Sequence, residues 1–224
     1  MKKTLLLLAV VVACAFTSAP MLVQQKKAAP TAMDPNAKAL LDAVSQHYKA
    51  IKSIRATFKL SMEHPNMKTK QEKKGALVLK GPKYIIQLDN QEIYCDGKTV
   101  WTYSKESNEV QINNYEHNAH EVNPSEIFTM YEKGFIYQMA EVDAAKGLQV
   151  VELTPTDKKK AYFKIKLFVN KAEKSIQKMK IFNNNGGFIT YDIVQFTANP
   201  KDVTDATFVF DSKKYPGVEV NDIR

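Results

Sequence analysis

The side chains that could hold a metal ion are concentrated in one short stretch. His117 and His120 are separated by two residues, and Glu116 and Glu121 flank them. On one face of a helix, such a set could ligate a transition metal. The stretch lacks helical periodicity and is rich in asparagine, so we interpret it as a solvated loop and predict no metal site.

No recognisable catalytic arrangement accompanies these histidines. The sequence lacks the glycine-flanked serine of hydrolases, the paired histidines of zinc proteases and the glycine-rich phosphate loop. Cys95 is the one cysteine outside the N-terminal segment, and we interpret it as a small buried residue. We therefore predict no catalytic residues and no cofactor. A secreted hydrolase, the alternative from another class, would need a compact polar cluster inside a cavity.

Apolar and aromatic side chains are abundant instead, and they alternate along predicted strands. They form either an ordinary core or the lining of a cavity, since a large curved sheet encloses more volume than two short helices fill. We expect the inner faces of the strands to point toward Phe128 and Met130. The residues predicted to line a cavity for an apolar ligand are Phe58, Met62, Tyr84, Ile86, Leu88, Trp101, Tyr103, Phe128, Met130 and Tyr131.

Residues 1–19 have the composition of an export signal. Lys2 and Lys3 precede an apolar run that is too short to span a bilayer, and small residues follow. Two processing routes remain open: removal of the segment after an A-x-A site, or lipid modification at Cys14, which ends a lipobox-like sequence. Either route predicts a protein that leaves the cytoplasm. Residues 20–35, rich in alanine, proline, lysine and glutamine, are interpreted as a flexible tether.

The elements that must position the apolar residues follow from periodicity. Asp34 and Pro35 suit the N-cap and first turn of a helix whose apolar face continues to Ile51. From Ile54 onward the period changes to two, which predicts antiparallel strands with one wet face. The predicted strands cover 54–62, 70–80, 83–89, 91–95, 99–104, 109–113, 147–154, 161–169, 174–182, 188–197 and 206–210.

An insertion at about 114–145 interrupts the alternation. Asn123 and Pro124 predict the start of a short helix, and Gly134 its end. A large sheet of this kind must close or be covered. We therefore expect a mainly β fold, an unclosed antiparallel half-barrel of about eleven strands with a helical lid, as a single domain over 36–224.

The net charge of +8 comes largely from lysines, notably between Lys68 and Lys83 and at Lys158–Lys160. No nucleic-acid-binding motif accompanies them, so we predict no nucleic-acid partner. The lysines form a solvated face, or they attract the protein to an anionic membrane or an acidic partner.

Over most of residues 37–224, short segments in a fixed order resemble the periplasmic outer-membrane lipoprotein carrier family, the LolA type. An N-terminal helix ending in Tyr48-Lys49-Ala50-Ile51-Lys52-Ser53-Ile54 precedes the strand start Ala56-x-Phe58. The other segments are Gly75-Ala76-Leu77-Val78-Leu79-Lys80-Gly81-Pro82, Asp96-Gly97-Lys98-Thr99-Val100-Trp101-Thr102-Tyr103, Asn123-Pro124, Phe208-x-Phe210 and Tyr215-Pro216-Gly217-Val218.

This resemblance implies an unclosed barrel with a helical lid, whose cavity takes the acyl chains of lipoproteins released by an inner-membrane ABC transporter. The carrier, which we expect to be a monomer, would cross the periplasm and deliver its cargo to an outer-membrane acceptor without a cofactor. Alternatives with the same fold are a lipid-anchored acceptor, a carrier of free envelope lipids and an envelope-stress sensor.

One position departs from the family pattern. The family often has an arginine immediately before the proline that matches Pro82, and this arginine is thought to latch the lid to the sheet. Gly81 occupies the position here, and Lys80 and Lys83 are the candidate substitutes. A lysine lacks the planar fork of an arginine, so the latch itself is an open question.

Overall fold

The computed structural model describes residues 33–116, 124–140 and 147–224. The proposed export signal with Cys14 and the pair His117 and His120 lie outside these ranges. Within them, no three histidine, cysteine, aspartate or glutamate side chains converge as metal ligands. No helix in the described part of the chain is long and apolar enough to cross a bilayer.

The helix α1 spans Pro35–Lys49, and the predicted cap residue sets its start. The Asp34 carboxylate accepts hydrogen bonds from the backbone N–H groups of Asn36 and Ala37, at 2.8 and 3.4 Å. It thereby satisfies donors that the first turn of a helix leaves free. Its second oxygen accepts the N–H of Met139 at 3.1 Å, which ties the start of α1 to the edge of the sheet.

Twelve strands form one sheet, with α1 as the one α-helix of the described residues, which confirms the mainly β, unclosed fold. The strand order is β12-β6-β5-β4-β3-β2-β1-β11-β10-β9-β8-β7, so the two edges do not pair with each other. The strands are β1 Ile54–Glu63, β2 Gln71–Lys80, β3 Lys83–Leu88, β4 Gln91–Cys95, β5 Thr99–Ser104, β6 Glu109–Asn114, β7 Phe135–Met139, β8 Gln149–Pro155, β9 Tyr162–Asn170, β10 Ser175–Asn183, β11 Phe188–Ala198 and β12 Glu219–Asp222.

The two edge strands were not predicted from the sequence. β7 is a run of apolar residues inside the insertion, where alternation gives no signal. β12 is four exposed residues long and pairs with β6 in parallel, an exception to the antiparallel pattern. Both strands are only four or five residues long, so hydrophobic periodicity gives little signal for them.

Two predicted elements are different in the structure. The strand expected at 206–210 is wrong: Asp205–Phe208 forms a 3-10 helix, in which the hydroxyl of Thr207 accepts the N–H of Thr204 at 3.0 Å. Such side-chain to backbone bonds compete with a strand ladder. The expected short helix of the insertion is also wrong within the described residues, because 124–129 form turns and only Met130–Glu132 forms a 3-10 helix.

Each face of the sheet is partly covered by another segment of the chain. On the concave face, α1 packs through Leu41 and Val44 against β7–β10 in the main core. On the convex face lies a segment that we call the C-terminal strap, residues 203–218. Its Phe208 is fully buried against Ile85 of β3, and its Phe210 packs with Tyr103 of β5. The helix therefore covers β7–β10 on one face, and the strap covers β3–β5 on the other.

A buried carboxylate anchors the strap to the sheet. Glu92 of β4 accepts hydrogen bonds from the hydroxyls of Tyr215 and Tyr94, at 2.6 and 2.9 Å, and from the ammonium of Lys105 at 3.2 Å. Burial alone would raise the pKa of Glu92, but these donors hold it below its usual value. A depressed carboxylate pKa stabilises the fold above the unfolded pKa of about 4.3, and this stabilisation is lost as the pH falls through the folded value.

We expect Tyr215→Phe to lower the free energy of unfolding by about 1–3 kcal/mol at pH 7, because Glu92 loses a buried donor. The difference from wild type should shrink as Glu92 becomes protonated, and urea unfolding at pH 7 and about pH 3.5 measures it. Tyr103→Phe is the matched control, since the Tyr103 hydroxyl donates to the neutral Asn108 side chain at 3.0 Å. The same pH dependence in both variants would contradict the role of Glu92.

Candidate functional site

A cavity of about 490 Å³ lies on the concave face of the sheet. Its size falls within the range of about 300–1,000 Å³ that is usual for small-molecule sites. Side chains from the end of α1, from β1–β4 and from β9–β11 line it, and most of them are aliphatic or aromatic. Residues 124–132, which we call the covering segment, contribute Pro124, Ile127 and Phe128 to the lining.

Strand alternation and the glycine at position 75 shape the floor of the cavity. Ala56 and Phe58 of β1 face inward, and Gly75 of β2 lies directly opposite Phe58. A Cβ atom at position 75 would come within 2.4 Å of the Phe58 ring and 3.0 Å of Leu88. The Phe58 ring therefore occupies the space that any other residue at position 75 would need.

The end of α1 and the covering segment meet above the cavity at an aromatic contact. The rings of Tyr48 and Phe128 are stacked, with centroids 3.6 Å apart, and Phe196 meets the Tyr48 ring edge-on at 5.7 Å. The Tyr48 hydroxyl accepts the backbone N–H of Ile176 at 3.2 Å. Burial raises the pKa of Tyr48, so its hydroxyl stays neutral at physiological pH.

Polar contacts attach the far end of the covering segment to α1. The buried Tyr131 donates its hydroxyl to Asp42 at 2.9 Å, and burial together with this bond raises the pKa of Tyr131 to about 12. Glu132 accepts from Lys49 at 2.7 Å and from Ser45 at 3.2 Å. The Glu132–Lys49 pair is exposed and contributes little, so Tyr131 supplies the main polar attachment.

The described geometry is an apolar cavity beneath a covering segment, and a comparison with known families places this chain in one of them. A family model described as the outer membrane lipoprotein carrier protein LolA matches residues 49–211. The chain belongs to this family. A search of curated proteins finds no significant match.

Solved structures similar to this LolA-family chain share its fold at low sequence identity. A conserved protein from Thermus thermophilus superposes with a TM-score of 0.54 at 12% identity, over 84% of this chain and 99% of that one. A LolA superfamily protein from Nitrosomonas europaea gives 0.45 at 14% identity, over 78% and 98%. The Thermus superposition supports the fold and carries no information about the ligand.

Of the ten predicted site residues, the structure brings four together in the lining: Phe58, Tyr84, Ile86 and Phe128. Met62 and Leu88 lie on the inward faces of β1 and β3, outside the lining set. Met130 and Tyr131 pack in the core beside α1. That any of these residues binds a lipid stays a prediction.

Trp101 and Tyr103 are on the opposite face of the sheet, so their expected inward orientation is wrong. Ile93 lines the cavity and pairs with Thr102, which leaves the neighbours of Thr102 on the convex face. There Trp101 and Tyr103 pack with Phe210 of the strap. Alternation shows which residues share a face, but not which face is inside when both are apolar.

The lining also includes residues that the sequence analysis did not select. Most come from β10 and β11, whose alternation was recognised but not assigned to the site. They are Ile176, Met179, Ile181, Ile189, Tyr191, Ile193 and Phe196. The period-two pattern of 174–182 and 188–197 was sufficient to identify these residues as sharing one face of their strands. Tyr162 and Asn183 lie at strand ends, where periodicity gives no guidance, whereas Tyr48 lies on the predicted apolar face of α1 but was not assigned to the site.

The family's latch position does not touch the covering segment here. Gly81 lies in the turn between β2 and β3 with φ +56°, and a Cβ there would meet nothing within 4 Å. Lys80 and Lys83 are not substitutes for the arginine, because both bind Asp205 of the strap, at 2.9 and 3.3 Å. In this chain the covering segment is attached to α1 instead.

The single tryptophan allows a direct test of the two faces. We expect the emission of Trp101 to stay unchanged when saturating dodecanoic acid is added, because its ring packs against the strap. Phe128→Trp, made in a Trp101→Phe background, should change its emission maximum on the same addition. A shift in wild type as large as that of the Phe128→Trp reporter would contradict the assignment of faces.

Proposed function

We propose that this protein is a periplasmic carrier that binds the acyl chains of lipoproteins in its cavity and moves them from the inner to the outer membrane. The observation that carries the proposal is the apolar cavity beneath the covering segment. An inner-membrane ABC transporter would load the carrier, and an outer-membrane acceptor would unload it. Membership of the carrier family and the export signal predicted at residues 1–19 support this assignment.

The size of the cavity sets a condition on loading. At about 490 Å³ it suits one ligand of moderate size, whereas a lipoprotein anchor with several acyl chains needs more room. We infer that the covering segment is the part that yields, because it lies outside the strands of the sheet and is held by side-chain contacts of Phe128, Tyr131 and Glu132 with α1 and the core. We therefore propose that cargo enters as the segment swings away from Tyr48.

Energetics favour such a mobile cover in a carrier. Each buried methylene gains about 0.8 kcal/mol, so a long acyl chain would gain on the order of 10 kcal/mol in a rigid cavity. A carrier must release its cargo, and displacement of the covering segment subtracts from this gain. The same reasoning favours binding over catalysis, because the polar side chains of the lining are four tyrosines and one asparagine.

Hydrogen exchange tests the mobile cover. We expect amide exchange in 124–132 to increase when an acyl ligand binds and displaces the segment. In the free protein, Tyr131→Phe should raise exchange in the same residues about 5- to 10-fold, because the bond to Asp42 is lost. Tyr215→Phe, on the convex face, is the control and should leave 124–132 unaffected. Equal protection with and without ligand would argue against a moving cover.

Adjacent residues of β11 test the cavity itself. Ile189 lines it, whereas the ring of Phe188 faces away and contacts Phe182. We expect Ile189→Trp to fill the cavity and to lower the lipid that copurifies from the envelope by about tenfold or more, corresponding to at least 1.4 kcal/mol of lost affinity. Phe188→Trp should retain wild-type loading.

Lipid mass spectrometry of the two purified variants and wild type provides the measurement. Equal loading of all three, or no acylated cargo in wild type, would contradict the proposed function. The intact mass of the same wild-type preparation identifies the mature N-terminus, and hence whether Cys14 carries lipid.

A further inference from the structure

The polar groups that line the cavity are not equivalent. The Tyr48 hydroxyl is engaged by the backbone of Ile176, and Tyr84 and Tyr191 also have partners within the protein. The side chains of Tyr162 and Asn183 differ, because neither makes a hydrogen bond to any other residue in the described part of the chain. Tyr162 is only 4% exposed, so its hydroxyl is an unusual group to leave without a protein partner.

These two side chains are neighbours at one end of the cavity. Tyr162 begins β9, Asn183 ends β10, and the two residues pair across the antiparallel ladder. The backbone of Asn183 is held by the following turn, since its N–H donates to Gly187 at 2.9 Å and its carbonyl accepts from Gly186 at 3.1 Å. The turn therefore fixes the position of Asn183 and leaves the side-chain amide available.

The Tyr162 hydroxyl retains contact with solvent. Among the described residues, the one buried side-chain oxygen that lacks both solvent and a partner is Ser61 Oγ, on another strand. Burial raises the pKa of Tyr162, so the hydroxyl stays protonated at physiological pH and can donate. A ligand oxygen at this end of the cavity would replace solvent on the hydroxyl and would leave no donor unpaired.

We propose that Tyr162 and Asn183 form a polar end of the cavity that hydrogen-bonds the ester or amide carbonyl of an acylated ligand. The inference rests on the proposed function, because it assumes that an acyl chain occupies the apolar part. A carbonyl oxygen only accepts, and the tyrosine hydroxyl and asparagine amide both donate. Two donors at one end give the chain a direction, with its carbonyl beside β9 and β10 and its methyl end among the aliphatic side chains.

A pair of probes of similar length separates this recognition from general hydrophobic binding. Methyl dodecanoate carries an ester carbonyl, and tridecane carries no polar atom. Each is used to displace the dye N-phenyl-1-naphthylamine from the full protein, and the ratio of the two inhibition constants is the readout. We expect Tyr162→Phe to weaken the binding of methyl dodecanoate about 3- to 10-fold and to change the binding of tridecane by less than about twofold. Asn183→Leu should act in the same direction.

Tyr103→Phe is the matched control, because it removes a tyrosine hydroxyl on the convex face of the sheet, outside the cavity lining. For this control, the ratio of the two inhibition constants should remain that of wild type, even if the protein is less stable. The proposal is overturned if Tyr162→Phe and Asn183→Leu leave the ratio unchanged or weaken both probes equally. If wild type binds neither the dye nor the probes, the proposed function fails instead, and this inference fails with it.

Discussion

The side chain of Tyr48 holds together the three parts on which the cavity depends. Its hydroxyl is bound to the backbone of β10, its ring meets Phe196 of β11, and the covering segment stacks on it through Phe128. The helix end, the sheet and the cover therefore share one buried contact. An unclosed sheet cannot complete its own cavity. Without the helix end and the covering segment, the concave face would be an open apolar surface of a kind that soluble proteins rarely expose.

The two faces of the sheet are held in different ways, and the difference suits a carrier. On the convex face the strap contributes the fully buried Phe208 and donates to Glu92 through Tyr215. On the concave face the covering segment is held by the stack on Tyr48, by the buried Tyr131 and by polar contacts to α1, but none of its residues belongs to a strand of the sheet. Segments outside the strand ladder open at lower free energy than core strands. Opening can then occur on the ligand side while the strap keeps the sheet intact.

Much of the sheet could be predicted because alternation is a local signal. The ten strands from β1 to β6 and from β8 to β11 fall on segments with a period of two, and the Asp34 cap is visible as a residue type. The site residues were harder to predict, because the location of the cavity depends on which face of the sheet the strap covers and which face the helix covers. Trp101 and Phe58 lie on equally convincing alternating strands, yet one packs on the strap and the other lines the cavity. Only the tertiary fold, which places residues 203–218 on one face, distinguishes them.

In the proposed carrier, the strength of binding and the ease of release are coupled through the covering segment. If the open, loading-competent state is a small fraction of the population, the apparent affinity for cargo falls by that fraction. The attachment through Tyr131, Glu132 and Phe128 would therefore lower the apparent affinity that the apolar lining provides. Substitutions in the attachment and in the lining can change this affinity separately. The closed cover also needs no arginine at the position of Gly81, where the family often has one. The closing contacts are supplied by α1, so the turn between β2 and β3 is free to hold the strap through Lys80 and Lys83.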